Sequence, residues 1–418
     1  MYSYNQKDWK RCQKTVWCEA TGHLRWSLKA EADEVWFAFF APYPLARFHE
    51  LMAACDTCPE SSVEELGSSI EGRPVHVVIA GTGELKCWVT CRQHPGETMA
   101  SWFAEGLLQR LISCHVSADP LVAQVLEMYT LYIVPNMNPD GSYHGHMRTN
   151  RVGSNLNREW ADSVSNGVRY EAPTRERSPE VYYTLQRMDA VGCDAFIDVH
   201  GDETLPYNFI SGMEGVSNWG PRLQALQGMF TAAYVRANSD MQAEVAYEPD
   251  AAGGADPAIA SNQIAERFDC LSVTLEQPFK DCATNSDPVY GWSPARSIKL
   301  GEGLVDALAH VAPYVRATHP FWDSLAPDDA YICPTGLSLS LARCLFRARA
   351  LARSLALFLS LSRCIWVGGL VRRWLGVWHR SCLSLLYTRM YVLFPPTPIR
   401  PLTTHTHTCT HTHKLQVS

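Results

Sequence analysis

Short apolar runs alternate with amphipathic stretches through the first 315 residues of the chain. The apolar runs are rich in Val, Ile, Leu and aromatic residues, which is typical of strands. They predict strands at 75–79, 86–90, 129–134, 195–199 and 269–275. Apolar residues at helical spacing predict helices at 98–113, 179–188 and 297–311. Strands that alternate with helices indicate an α/β domain with a largely parallel or mixed sheet.

Two further segments lack this alternation of strands and helices. Apolar and polar residues alternate with a period of two at 24–28 and again at 35–39, before Pro42 and Pro44 interrupt the pattern. This spacing predicts short strands, and therefore a β-rich segment ahead of the α/β domain. Residues 136–160 are mostly polar and rich in Asn, Asp, Gly and Arg, which predicts a long loop.

The C-terminal part of the chain has a different composition. Residues 331–418 contain no Asp or Glu, and ten Arg with one Lys give them a formal charge of +11. The preceding 330 residues carry 25 basic and 43 acidic residues, a formal charge of −18. Because the sequence is repetitive from about residue 316, we interpret 316–418 as a tail that is disordered or a product of translated repeat DNA. An arginine-rich membrane or nucleic-acid segment is the alternative.

The cysteines and the apolar runs indicate the cellular location of the protein. The 15 cysteines are an odd number, and Cys55 and Cys58 form the only CxxC pair, which indicates reduced thiols and not a disulfide framework. No apolar signal segment is visible at the N-terminus. The apolar run at 354–362 is shorter than the roughly 20 residues that span a bilayer. We therefore expect a soluble, cytoplasmic protein that binds neither membrane nor nucleic acid.

Three residues near the ends of predicted strands could bind a metal ion. His94 and Glu97 lie at a strand-to-helix junction, and His200 directly follows an apolar strand. Two histidines and one glutamate are a known ligand set for catalytic zinc. Asp198 or Asp202 could orient His200, and the sequence does not choose between them. The alternative is that these residues are ordinary helix-start and turn residues.

The last predicted strand, 269–275, is followed by a carboxylate at Glu276. A carboxylate after a buried strand costs free energy unless it is paired or functional. Glu276 could act as a general base toward a metal-activated water, or it could form a salt bridge with Lys280. The polar loop at 136–160 adds arginines and asparagines that could bind a carboxylate or an oxyanion; solvated surface charges are the alternative.

Taken together, these segments resemble the zinc carboxypeptidase family, and in particular its cytosolic carboxypeptidase branch. The resemblance covers roughly residues 5–315 in order and spacing. It is carried by FAPY at 40–43, RQHPGE at 92–97, PNMNPDG at 135–141, GHMRTN at 145–150, NLNREW at 155–160, DVHGDE at 198–203 and TLEQPFK at 274–280.

The resemblance implies a role for seven residues. His94, Glu97 and His200 correspond to the ligands of one zinc ion per chain. Glu276 corresponds to the catalytic glutamate, and Arg148 to the arginine that polarises the scissile carbonyl. Asn157 and Arg158 correspond to the pair that holds the terminal carboxylate of the substrate. The substrate-capping tyrosine of the family has no clear equivalent, and Tyr247 is only a weak candidate.

The resemblance also implies a domain organisation. The expected fold is a mixed sheet flanked by helices, as in zinc carboxypeptidases, preceded by the remnant of a β-rich N-terminal domain. We expect the remnant at 1–42, the catalytic domain at 43–315 and the tail at 316–418. Because earlier strands of the β-rich domain are missing, exposed apolar surface is expected near the N-terminus.

The implied activity is that of a zinc metallocarboxypeptidase. Such an enzyme removes residues from the C-termini of peptides or proteins, and the branch suggests glutamate as the residue and glutamylated tubulin as a partner. One alternative is a related zinc amidohydrolase that acts on small N-acyl amino acids. The other is a non-catalytic binding protein of the same fold.

Overall fold

The computed structural model describes residues 1–113, 119–165 and 167–325. Most of the predicted tail, from residue 326 onward, lies outside the described residues. The strands are β1 (Tyr2–Ser3), β2 (Val16–Cys18), β3 (His23–Arg25), β4 (Trp36–Phe37), β5 (Ser61–Ser68), β6 (Pro74–Ala80), β7 (Leu85–Cys91), β8 (Tyr129–Val134), β9 (Ser163–Ser165), β10 (Val168–Tyr170), β11 (Ala195–Val199), β12 (Phe209–Ser211) and β13 (Leu271–Glu276). The helices are α1 (Leu45–Thr57), α2 (Thr98–Ile112), α3 (Pro120–Met128), α4 (Pro139–His144), α5 (Pro179–Val191), α6 (Pro221–Ala237), α7 (Ala260–Phe268) and α8 (Pro294–Val311).

Seven strands form one mixed sheet in the order β12-β13-β11-β7-β8-β6-β5. The four central strands β13, β11, β7 and β8 are parallel to one another. The strands on either side, β12 and the pair β6 and β5, run antiparallel to their neighbours. The predicted mixed sheet flanked by helices is therefore confirmed. Since parallel strands end at the same edge, residues that follow β7, β11 and β13 are brought together.

Each face of the sheet is covered by its own apolar layer. Successive side chains of a strand point to opposite faces, so in β11 Ile197 belongs to the layer with α2 and α8, and Phe196 to the layer with α5 and α7. Helices α2 and α8 approach closely because of two glycines. A Cβ on Gly106 would lie 2.0 Å from the carbonyl oxygen of Ile298, and one on Gly301 would lie 2.0 Å from that of Phe103.

The predicted N-terminal strands are much shorter than expected. β2 pairs with β3 over three residues, and β1 pairs with β4 over two. Trp17, Leu24 and Phe39 around them are between 46% and 60% exposed. The alternation at 24–28 and 35–39 thus does not yield extended strands, and several of its apolar side chains stay largely exposed.

The packed structure continues beyond residue 315, the limit predicted for the catalytic domain. Arg316 donates a hydrogen bond of 2.6 Å to the carbonyl oxygen of Cys193. Phe321 is buried against the core and contacts the ring of Tyr314. At least ten residues assigned to the tail, 316–325, are therefore described together with the domain. Across the described ranges, no helix is long and apolar enough to cross a membrane.

Candidate active site

His94, Glu97 and His200 meet at the edge where the parallel strands end. His94 and Glu97 lie between the end of β7 and the start of α2, and His200 directly follows β11. Nδ1 of His94 lies 2.7 Å from Glu97 Oε1, and Nδ1 of His200 lies 2.9 Å from Glu97 Oε2. The two Nδ1 atoms are 3.2 Å apart. All three residues are buried, and their ligand atoms lie within 4.8 Å of one another.

The turn that carries His94 is held by Arg92. Its backbone adopts a φ of 63°, in the left-handed region that a non-glycine residue rarely occupies. Its guanidinium donates hydrogen bonds to the carbonyl oxygen of Pro95 at 2.8 Å and to Ser101 Oγ at 3.0 Å. Arg92 is therefore buried as a support for the turn, and its charge does not face the cavity.

Both histidines have a partner on the side away from Glu97. Nε2 of His200 lies 2.7 Å from Asp198 Oδ2, which decides between the two aspartates that the sequence left open. Nε2 of His94 lies 3.0 Å from Asn155 Oδ1. These contacts leave both Nδ1 atoms directed toward Glu97. Two imidazoles oriented in this way beside a carboxylate fit a zinc ion.

Glu276 ends β13 close to this cluster and is only 7% exposed. Its Oε2 has no hydrogen-bond partner among the described residues, and its Oε1 accepts a hydrogen bond of 3.2 Å from the hydroxyl of Tyr247. Burial raises the pKa of Glu276 to about 8, and the negative charges of Glu97 and Asp202 act in the same direction. A buried carboxylate with one unpaired oxygen can act in proton transfer.

All seven predicted site residues line one cavity of about 550 Å³. Asn157 is buried, with Nδ2 3.4 Å from His200 Nε2, and its Oδ1 accepts a hydrogen bond from the backbone N–H of Ala260. Arg158 donates a hydrogen bond of 2.6 Å to the backbone oxygen of Asn157. Arg148 is exposed and forms no ion pair with the described residues. The segment 145–158 therefore contributes two arginines to the lining of this cavity.

The structure also adds residues that the sequence analysis did not assign. Asn155 contacts His94 from the loop ahead of Asn157. Tyr247 reaches the cavity from the loop between α6 and α7, where its hydroxyl lies within hydrogen-bond distance of carboxylate oxygens of Asp202 and Glu276. The sequence identifies Tyr247 only weakly as the substrate-capping tyrosine, because the loop around it has no recognisable pattern.

The geometry agrees with comparisons to known proteins. Residues 49–266 match the model of the zinc carboxypeptidase family. The chain belongs to the zinc carboxypeptidase family. The predicted fold, the zinc dependence and the metallocarboxypeptidase activity are thereby confirmed. The roles of the individual residues stay predictions. The limits of the domains and the C-terminal residue that the enzyme prefers also stay predictions.

Several bacterial proteins are similar over most of the chain. An uncharacterized protein of Zymomonas mobilis is 39% identical over 74% of this chain and 77% of its own length. The structure of a metallocarboxypeptidase from Pseudomonas aeruginosa, in complex with (2-guanidinoethylmercapto)succinic acid, is 38% identical, has a TM-score of 0.69, and is matched over 75% of this chain and 80% of its own. Human cytosolic carboxypeptidase 6 is more distant, at 27% identity over 44% of this chain and 37% of its own length.

Proposed function

We propose that this metallocarboxypeptidase binds its zinc ion through His94, Glu97 and His200. The observation that carries the proposal is the convergence of two Nδ1 atoms and both oxygens of Glu97, while the Nε2 atoms are occupied by other residues. When bound, zinc supplies a Lewis acid that polarises a carbonyl and lowers the pKa of water. The protein residues around it then carry out positioning and proton transfer.

Glu276 is the proposed general base and acid. Its free Oε2 can accept the proton of the attacking water, and the protonated carboxyl can then donate this proton to the leaving amine. Burial supports this role, because it raises the pKa of Glu276 to about 8 and so makes the carboxylate a stronger base. Tyr247 restrains the other oxygen of the same carboxylate.

The arginines of the 145–158 segment are proposed to bind the two oxygen-bearing groups of the substrate. Arg148 would stabilise the negative charge that develops on the scissile carbonyl oxygen. Arg158, together with Asn157, would bind the terminal carboxylate. The Pseudomonas aeruginosa relative was crystallised with a ligand that contains a succinic acid. That a relative binds a carboxylic acid supports a carboxylate-binding role for this side of the cavity.

The preferred substrate is a separate question. Peptide or protein C-termini are the partners of a carboxypeptidase, whereas glutamate as the residue and glutamylated tubulin as the partner rest on the resemblance. The cytoplasm as the location is an expectation from the cysteine pattern. The charges give the glutamate preference little support. Arg92 faces the turn of His94, and Arg151 forms an ion pair with Glu71 away from the cavity. Among the described residues, Arg148 and Arg158 are the arginines that line the cavity, and both have other proposed roles.

Metal analysis and two substitutions test the proposed mechanism. The purified protein should contain about one zinc ion per chain, and His200→Ala should lose zinc and activity together. Glu276→Gln should keep zinc and lose at least about a hundredfold in kcat. The exposed residues His23 and Glu50 give the matched controls, His23→Ala and Glu50→Gln. Full zinc occupancy in His200→Ala, or a near-normal rate in Glu276→Gln, would contradict the assigned roles.

A further inference from the structure

Residues 39–43, here called the entry segment, connect β4 to α1. Ala41 is only 5% exposed and Tyr43 only 7%, in contrast to the exposed strands that precede them. Pro42 and Pro44 fix the backbone φ angle on both sides of Tyr43. The entry segment is therefore a short, buried and stiff part of the chain, and such a segment can hold the elements that it contacts in place.

The backbone of the entry segment is bound to the first turn of α2. Thr98 Oγ1 donates a hydrogen bond of 2.9 Å to the carbonyl oxygen of Ala41, and both residues are buried. Trp102 Nε1 donates a longer hydrogen bond of 3.5 Å to the same oxygen. Thr98 is the first residue of α2 and directly follows Glu97. The contact with Ala41 therefore restrains the helix start from which the Glu97 side chain extends.

The position of Glu97 matters for the whole metal cluster. Its two carboxylate oxygens lie 2.7 Å from Nδ1 of His94 and 2.9 Å from Nδ1 of His200. Its Oε2 also accepts a hydrogen bond of 3.1 Å from the backbone N–H of Gly201. Because one carboxylate contacts both histidines, a shift of the helix start would change both contacts at once.

The aromatic part of the entry segment packs behind the turn that carries His200. The ring of Phe40 meets the ring of Phe279 edge to face, with the ring centres 5.5 Å apart. A Cβ on Gly201 would lie 2.8 Å from Phe279 Cε1 and 2.6 Å from Met99 Sδ. Since Gly201 directly follows His200, this turn is packed closely against Phe279, and Phe279 in turn contacts the entry segment.

Another polar contact of the entry segment lies farther from the metal cluster. The hydroxyl of Tyr43 donates a hydrogen bond of 2.9 Å to Glu105 Oε2, and Nε of Arg47 donates one of 2.6 Å to the same oxygen. Glu105 lies about two turns further along α2 than Thr98. This contact can stabilise the fold without affecting the metal ligands, so it provides an internal comparison for the contact at Thr98.

We infer that the entry segment positions the metal ligands, with Thr98 as the positioning residue for Glu97. The hydrogen bond from Thr98 to Ala41 holds the start of α2, and the aromatic contacts hold the second metal-binding turn. The inference rests on the proposed function, since it takes the three assigned residues as zinc ligands. It also places part of the functional unit outside the catalytic domain predicted at 43–315.

The zinc affinity of matched variants tests this inference. Thr98→Val keeps the shape of the side chain but removes the hydroxyl. Its dissociation constant for zinc, measured by competition with a chelator, should rise by about tenfold, as is typical for the loss of an outer partner of a metal ligand. Thr98→Ser keeps the hydroxyl and should bind zinc as wild type does. Thr57→Val makes the same change at the exposed end of α1 and should also bind zinc normally.

A variant at the aromatic contact tests the other half of the inference. Phe40→Leu stays apolar but loses the edge-to-face contact with Phe279, and it should raise the dissociation constant for zinc by more than about twofold. It also keeps the inference testable if Thr98→Val does not fold. Zinc affinity equal to that of wild type in Phe40→Leu would show that the entry segment does not support the second metal-binding turn.

A comparison with Tyr43 separates positioning from general stability. Tyr43→Phe removes the hydroxyl that binds Glu105 and should lower the Tm of the zinc-free protein, as Thr98→Val does, but only Thr98→Val should lose zinc affinity. Unchanged zinc affinity in Thr98→Val, or an equal loss in Tyr43→Phe, would overturn the inference alone if His200→Ala still loses zinc. A wild-type protein that binds no zinc would overturn the proposed function as well.

Discussion

The side-chain amide of Gln93 donates a hydrogen bond of 2.5 Å to Asp198 Oδ2. The same oxygen lies 2.7 Å from Nε2 of His200, and Thr90 Oγ1 donates to the other oxygen of Asp198. Trp160 Nε1 in turn donates a hydrogen bond of 3.0 Å to Gln93 Oε1. The indole N–H can only donate, so it determines which end of the Gln93 amide points to Asp198. Gln93 thus contributes to the orientation of His200 through Asp198.

Replacement of Gln93 by methionine should weaken zinc binding. The substitution keeps a similar volume but removes the amide that restrains Asp198, and loss of such an outer partner typically costs tenfold to a hundredfold in metal affinity. Competition with a chelator measures the dissociation constant of zinc. Gln124→Met on the exposed side of α3 is the matched control and should bind zinc normally. A Gln93→Met variant with lower thermal stability but unchanged zinc affinity would show that Gln93 is only structural.

Arg148 and Arg158 should affect different kinetic constants. If Arg158 binds the terminal carboxylate, Arg158→Ala should raise KM for every peptide by about tenfold or more and change kcat less. If Arg148 stabilises the developing oxyanion, Arg148→Ala should mainly lower kcat, by about a hundredfold. Steady-state kinetics on one peptide series measures both, with Arg169→Ala on the exposed strand β10 as the control. The opposite pattern would exchange the two proposed roles.

The part of the site that the sequence could predict lies at strand ends. His94, His200 and Glu276 follow apolar runs whose strand character is a local signal, and the carboxyl ends of parallel strands necessarily meet at one edge. Short sequence patterns therefore predict that residues far apart in the chain lie close together in the fold. The sequence does not show which aspartate orients His200, because the choice between Asp198 and Asp202 depends on side-chain direction.

The rest of the site depends on tertiary contacts. Tyr247 lies in a loop, and its position depends on contacts with Asp202 and Glu276, which are distant from it in the chain. Local propensity contains no such information. The alternation at 24–28 failed for a related reason, since β-propensity describes a fit to a half-buried surface. In the structure, Leu24 and Trp26 remain 46% and 37% exposed.

The packing of Phe321 predicts where the chain can be shortened. A chain that ends at residue 325 should keep its activity, because it retains the contact of Phe321 with Tyr314. A chain that ends at residue 318 loses this buried aromatic side chain and should unfold at a lower temperature, since removal of a buried Phe side chain costs about 3–5 kcal/mol. Thermal unfolding of both chains, with Phe321→Ala in the longer one, measures the difference. Equal stability of the two truncated chains would show that Phe321 contributes nothing to the fold.

Glu180 should make the stability of the protein depend on pH. It lies in the first turn of α5 and is completely buried, and its Oε1 has no hydrogen-bond partner among the described residues. Asn150 Nδ2, 3.4 Å from Oε2, is the only side chain in hydrogen-bond contact with it in the described part of the chain. Burial raises the pKa of Glu180 from 4.5 to about 7, and the charges of Asp140 and Glu159 act in the same direction.

The carboxyl group of Glu180 has a higher pKa in the folded state than in the unfolded state. The free energy of unfolding therefore decreases as pH rises from about 4.5 to about 7. Glu180→Gln removes this titration while it preserves the shape of the side chain. The free energy of unfolding of the variant minus that of wild type should therefore be larger at pH 8 than at pH 5. Urea unfolding at both pH values measures this difference. Glu176→Gln changes an exposed glutamate one turn earlier and should show no such difference. If wild type and Glu180→Gln differ by the same amount at pH 5 and pH 8, Glu180 does not retain its proton in the folded protein.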